Sequence, residues 1–178
     1  MSTNLTRRPA PEVDGRGRRV ALVCARFNDV IVDRLEGGAR RALGAAGVAD
    51  DDITVIRVPG ALEAPAAVSA AVRSGRFDAV VALGVVLRGD TYHFEVVSNE
   101  SAAGIGRVAL DTGAAITNGI LTVDTVEQAL ERSGDDAGNK GADAAMAALE
   151  MCAVLEVLAP PSTVTSDGTT AEGGTPGS

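Results

Sequence analysis

Four short apolar runs alternate with longer stretches of helical periodicity. Val20-Ala-Leu-Val-Cys-Ala25, Ile53-Thr-Val-Ile-Arg-Val58, Ala79 to Leu87 and Ala115 to Leu121 have the length and β-branched content of buried strands. Between them, apolar residues recur at helical spacing. Ile31, Leu35, Ala39 and Leu43 step by four through a predicted helix from Val30 to Ala46, which Gly47 closes. Further helices are predicted from Leu62 to Ser74 and from Thr91 to Leu110. Thr125-x-x-Gln128 has the form of a capping box and opens a short helix ending at Ser133-Gly134. The last helix runs from Gly141 to Leu158, with Met146, Leu149 and Ala153 on its apolar face, and Pro160-Pro161 stops it. Gly119 inside the fourth strand marks a bulge or a close approach. Strictly alternating strands and helices imply an α/β fold of three layers, a doubly wound sheet of four parallel strands flanked by helices.

The ends of the chain break this pattern. Residues 1–18 are rich in Pro, Gly and Arg without periodicity and read as a flexible arm, ending at most in a short edge strand. Glu12 and Asp14 argue against a transit peptide. Residues 159–178 are Ser, Thr and Gly with little to bury and read as a disordered tail, which leaves 19–158 as the α/β domain. Only 2% of residues are aromatic although 46% are hydrophobic, so the core is built from Ala, Val, Leu and Ile, and each aromatic is free for a special role. A net charge of −8 disfavours nucleic-acid binding. No apolar run approaches the ~20 residues that span a bilayer, and no signal peptide is apparent. Cys24 and Cys152, each within an apolar segment, read as free buried thiols of a cytoplasmic protein. The sequence contains no P-loop, no nucleophile elbow and no Cys/His pair at metal spacing.

In doubly wound sheets, ligands bind beyond the carboxyl ends of the strands. The unusual residues fall there: Phe27-Asn28 after the first strand, Gly60 to Glu63 after the second, and Gly89 to His93 after the third. Phe27 is placed either to stack on a planar ligand or to staple the next helix. Glu63 either complements a helix dipole or accepts ligand hydroxyls. Asp90 and Thr91 suit an N-cap and equally a turn whose free N–H groups cradle an anion. His93, the single histidine, is either a surface residue or a proton carrier near neutral pH. Arg132, in the last turn of a helix, complements the dipole there or binds an anion. Lys140 is either a solvated loop lysine or a second phosphate partner.

These residues carry a resemblance. Arg26-Phe27-Asn28, Val58-Pro-Gly-Ala-Leu-Glu-Ala-Pro65, Ala82-Leu-Gly-Val-Val-Leu-Arg-Gly-Asp-Thr-Tyr-His-Phe94, Asn118-Gly-Ile-Leu-Thr122 and Asn139-Lys-Gly141, in that order, resemble the 6,7-dimethyl-8-ribityllumazine synthase family from about Arg19 to Leu158. The resemblance implies a flavodoxin-like fold and a cofactor-free, metal-free transferase reaction of riboflavin biosynthesis. In it, 5-amino-6-(D-ribitylamino)uracil condenses with 3,4-dihydroxy-2-butanone 4-phosphate. It further implies that Phe27 stacks on the pyrimidine, with Asn28 beside it. Ala61, Leu62 and Glu63 bind the same substrate, Glu63 through the ribityl hydroxyls, and Val85, Val86 and Leu87 line the ring pocket through backbone groups. Asp90, Thr91 and Arg132 bind the phosphate, His93 moves protons, Asn118 reaches the ring from a neighbouring subunit, and Lys140 is a secondary contact. The family assembles as pentamers, some of which build icosahedral 60-mers. The short Arg132 to Lys140 connection favours such a shell, with room for an association with riboflavin synthase. Three positions depart from the family pattern. Asn118 stands where a large apolar residue is common, Asp90 where a small one is, and Leu62 where an aromatic often is. Two other readings share the fold: a flavin- or lumazine-binding module without turnover, and a shell protein with vestigial activity.

Overall fold

The structure, a computed structural model, describes residues 13–135 and 138–159. Its strands are β1 (Val20–Ala25), β2 (Ile53–Val58), β3 (Ala79–Leu87) and β4 (Ala115–Val123). Its helices are α1 (Asp29–Ala45), α2 (Ala64–Arg73), α3 (His93–Thr112), α4 (Val126–Arg132) and α5 (Lys140–Leu158). The strands form one parallel sheet in the order β2-β1-β3-β4, so the winding reverses between β1 and β3.

Burial follows the alternation of side chains along each strand. Val20, Leu22 and Cys24 of β1 pack with Leu35, Leu43, Ala148 and Leu149 of α1 and α5 on one face. Ala21, Val23 and Ala25 pack with Val68 of α2 and Ile105 of α3 on the other. Every residue of β1 is buried, as an interior parallel strand requires. Cys24 and Cys152 are free and buried, and burial pushes the Cys24 thiol up to about 12, which makes it a poor nucleophile at neutral pH. Gly119 is a close approach: a Cβ there would lie 2.8 Å from Leu83 Cδ2 and 3.0 Å from Ala144 Cβ, so its absence lets α5 settle on β4.

Some boundaries differ from the sequence expectation. α2 begins at Ala64 after a 3-10 turn over Ala61–Glu63, with Pro65 in the first helical turn where its missing N–H is harmless. α3 begins at His93, not Thr91, and ends at Gly113, whose φ of 65° is a left-handed cap. In α5, Ala144, Ala145, Ala148, Leu149 and Cys152 are buried. Ala153, expected on that face, is exposed because it sits about 100° round the helix from Cys152. Thr125 accepts a hydrogen bond from Gln128 N at 3.3 Å, but Gln128 Oε1 returns to Asp124 N (2.9 Å), so only half of the expected capping box forms. Of the expected arm, residues 1–12 lie outside the described residues. Residues 13–18 make a turn without a strand, and Gly15 N donates to Ala46 O at 2.8 Å. The expected tail lies outside the described residues from 160 onward.

Asn139 joins α5 to α1. Its side chain is fully buried, donates to Arg34 O (3.0 Å) and Gly134 O (2.8 Å), and accepts from Gly141 N and Ala142 N (2.9 and 3.1 Å). It occupies the space that a side chain at Gly38 would need, and Gly141 lies against the carbonyl of Leu35. Asn139→Ala therefore leaves two part-buried carbonyls without their donor and uncaps a helix. We expect a loss of roughly 3 kcal/mol, seen as a lower thermal midpoint at matched protein concentration.

Candidate active site

The crevice arises from a step in the sheet. β1 pairs with β3 only as far as Cys24–Leu83, whereas β3 and β4 remain paired to Leu87–Val123. Val85, Val86 and Leu87 thus overhang the end of β1 and present a strand edge with backbone groups facing the winding reversal.

Beyond β1 the chain stays tied to β2. Arg26 N donates to Val58 O at 2.9 Å and Phe27 N to Pro59 O at 3.2 Å. Asn28 then adopts a left-handed conformation (φ 59°, ψ 44°), rare for a residue with a side chain. It reverses the chain into α1, and its carbonyl accepts from Ile31 N and Val32 N. Its side-chain amide reaches Val85 O across the step at 3.5 Å. The Phe27 ring is left 69% exposed, a large exposure for an aromatic in a chain with so few.

Gly60 is the seat of this ring. Its backbone is extended, so glycine is required for space rather than for conformation. A Cβ at Gly60 would stand 2.8 Å from Phe27 Cδ2 and 3.1 Å from Glu63 Oε2. Ring and carboxylate thus flank one bare patch of backbone. The cavity they open measures about 300 Å³. Its walls are Phe27 and Asn28 after β1, Gly60 to Glu63 after β2, the overhang Val85 to Leu87, and His93 and Val97 of α3. Leu62 lies 42% exposed at the rim. The structure therefore brings together Phe27, Asn28, Ala61, Leu62, Glu63, Val85, Val86, Leu87 and His93. Val97 went unnoticed in the sequence, although it stands four residues after His93 on the same helical face.

Five other candidates lie outside this cavity within one chain. Asp90 and Thr91 are exposed on the turn between β3 and α3. Among the described residues, the N–H groups of Gly89 to Tyr92 have no acceptor. Asn118 is exposed on β4, opposite Ala82, where its Oδ1 accepts from Ile120 N at 3.0 Å. Arg132 donates to Gln128 O within its own helix (3.0 Å) and lies 3.8 Å from Glu131. Lys140 pairs with Asp143 at 2.7 Å. No group of His, Cys, Asp and Glu that could hold a metal occurs among the described residues. No helix among them is long and apolar enough to cross a membrane.

Comparison with known proteins points to one family. The 6,7-dimethyl-8-ribityllumazine synthase family model matches residues 17–156. A 6,7-dimethyl-8-ribityllumazine synthase of Anaeromyxobacter sp. (strain K) is 54% identical over 145 residues, 82% of this chain and 90% of that protein. One from Desulfatibacillum aliphaticivorans is 49% identical over 144 residues, 81% of this chain and 93% of that protein. One from Nitratidesulfovibrio vulgaris (strain DP4) is 46% identical over 147 residues, 83% of this chain and 94% of that protein. With the family model spanning the sheet, the step and the crevice, this chain belongs to the 6,7-dimethyl-8-ribityllumazine synthase family.

Proposed function

We propose that this chain condenses 5-amino-6-(D-ribitylamino)uracil with 3,4-dihydroxy-2-butanone 4-phosphate, releasing 6,7-dimethyl-8-ribityllumazine, phosphate and water. The observation that carries this reading is the convergence of Phe27, Glu63 and His93, from three different strand ends, on one cavity in a chain of this family. The exposed Phe27 ring stacks on the flat pyrimidine. Glu63 accepts hydrogen bonds from the ribityl hydroxyls, and the overhanging backbone of Val85 to Leu87 pairs with the polar ring edge. The free N–H groups of the turn over Gly89–Tyr92 receive the phosphate, and the Asp90 carboxylate faces away from it.

The chemistry asks for positioning and proton transfer. A ring amine attacks the ketone and one water leaves as an imine forms. Loss of the neighbouring C–H proton then expels phosphate, and the resulting enol tautomerises to a ketone. The second amine attacks that ketone and closes the ring with loss of a second water. His93 accepts and returns protons in these steps. The amine is already a nucleophile, so holding both substrates together supplies much of the acceleration.

Arg132 and Asn118 lie away from the cavity of their own chain, which supports a site completed across a subunit boundary. Apolar surface left open on one chain supports the same reading: Val126 and Leu130 on α4, and Val154, Val157 and Leu158 on α5, are all exposed. We therefore infer a cytoplasmic homo-oligomer, a pentamer that goes on to a shell, with Lys140 at the edge of the phosphate site. Light scattering distinguishes the two sizes.

The activity test is to mix the purified protein with both substrates and follow lumazine fluorescence. Product formation well above the rate without protein supports the enzyme. Tight lumazine binding with no product supports a binding module, and large particles with neither support a shell protein.

A further inference from the structure

We propose that Arg88 is a positioning residue that latches the phosphate turn. This rests on the site reading above, which gives that turn the phosphate. The Arg88 guanidinium lies where three elements around the turn meet. Its Nε donates to Asp124 Oδ1 at the end of β4 (2.7 Å) and its Nη1 to Glu95 Oε1 in the first turn of α3 (2.6 Å). Its plane stands over the Phe94 ring, with Cζ 4.0 Å from the centroid. Its backbone N donates to Val123 O at 3.0 Å, the last tie between β3 and β4.

The four residues that follow, Gly89 to Tyr92, have no comparable anchor. Tyr92, at the N-cap of α3, makes no side-chain cap. The two ends of the turn are therefore held to each other through one side chain: Arg88 at its start, Glu95 and Phe94 just past its end. The Asp124 backbone N–H also donates to Gln128 Oε1 (2.9 Å), so the same latch reaches α4, the helix that carries Arg132. Arg88 lowers the acidity range of Glu95, which stays ionised throughout the neutral range. A planar fork that serves two carboxylates at a fixed angle is a task for Arg rather than Lys. With the latch closed, the free N–H groups of the turn hold one geometry in the absence of ligand; with it open, the bound phosphate must order them.

The test uses Arg88→Gln, Arg88→Lys and Asp124→Asn in the full chain. Steady-state kinetics are run with each substrate varied in turn, and thermal midpoints are recorded. Arg88→Gln and Asp124→Asn are expected to raise KM for the butanone phosphate about tenfold and to change KM for the pyrimidine less than about twofold, with Arg88→Lys between them and wild type. Asp124→Asn separates a latch from a direct phosphate ligand. Were Arg88 to grip the phosphate itself, removing a competing carboxylate would lower that KM, and this result overturns the proposal. Unchanged values, or equal increases for both substrates, overturn it too. If Arg88→Gln does not fold, Asp124→Asn carries the test. If the wild-type chain makes no lumazine, it is the functional reading that fails. The latch is then read from inorganic phosphate binding by phosphorus NMR, which must weaken in the variants and would overturn the proposal if it did not.

Discussion

Replacing His93 with alanine is expected to lower kcat by about 100-fold, the low end of what general acid–base catalysis contributes, and to leave both KM values nearly unchanged. The reason lies in what the side chain touches. His93 is the first residue of α3 and lines the same cavity as Val86, Leu87, Phe27 and Glu63. It makes no fold-bearing contact of the kind Asn139 makes, so its removal leaves the crevice intact. The steps it is proposed to serve move protons between heteroatoms and off the acidified carbon next to the imine, and solvent bases can move both, only more slowly. Substrate approximation by the remaining walls survives the substitution. Steady-state kinetics with binding measured separately check this. Loss of all turnover in a folded variant that still binds both substrates would show that His93 does more than shuttle protons.

The second large effect is expected from a residue with no side chain. Gly60→Val should raise KM for the pyrimidine substrate by about 10- to 100-fold, as much as Phe27→Ala, while folding is preserved. Stacking of a nucleobase-like ring on an aromatic is worth about 1–3 kcal/mol, which sets this range. Even the Cβ alone would stand 2.8 Å from the Phe27 ring, well inside the roughly 3.5–4.0 Å of a carbon–carbon contact, and the two further methyl groups of Val add to the conflict. Phe27 is exposed on its other side, so the ring swings outward and the core stays closed. Glu63 Oε2, 3.1 Å from the same point, is displaced with it. Titration of the variant with a ribitylated pyrimidine, beside Gly60→Ala as a milder step, measures the effect. Wild-type affinity in Gly60→Val would mean that the ring does not stack on this substrate.

What could be read from the chain divides along a physical line. The four strands and the α1 face were legible because burial on a sheet or a helix imposes a local period. The place of the crevice was legible because parallel connectivity sends Phe27, Gly60 to Glu63 and His93 to the same rim. Contacts set by tertiary geometry were not. Nothing near Gly60 in sequence shows that Phe27 lies against it, since the two meet only because β1 and β2 run side by side. Arg88 reads as part of a turn; its bond to Asp124, thirty-six residues on, exists only in the folded sheet. In Asn139-Lys140-Gly141 the lysine is the residue with chemistry visible in sequence, yet the asparagine and glycine are what tie α5 to α1. The start of α3 was misplaced by two residues because Asp90 and Thr91 have cap chemistry but do not cap.

As proposed, the crevice and the turn beside it hold a flat ring, a ribityl chain and a phosphate side by side. The most direct measurement is a crystal structure of the assembled protein with a ribitylated pyrimidine and inorganic phosphate bound. The expected result is the ring against Phe27, the ribityl hydroxyls on Glu63, the phosphate on the N–H groups of the turn over Gly89–Tyr92 with Arg132 of a neighbouring subunit beside it, and His93 between the two ligands. A ring bound away from Phe27, or a phosphate remote from His93, would contradict it.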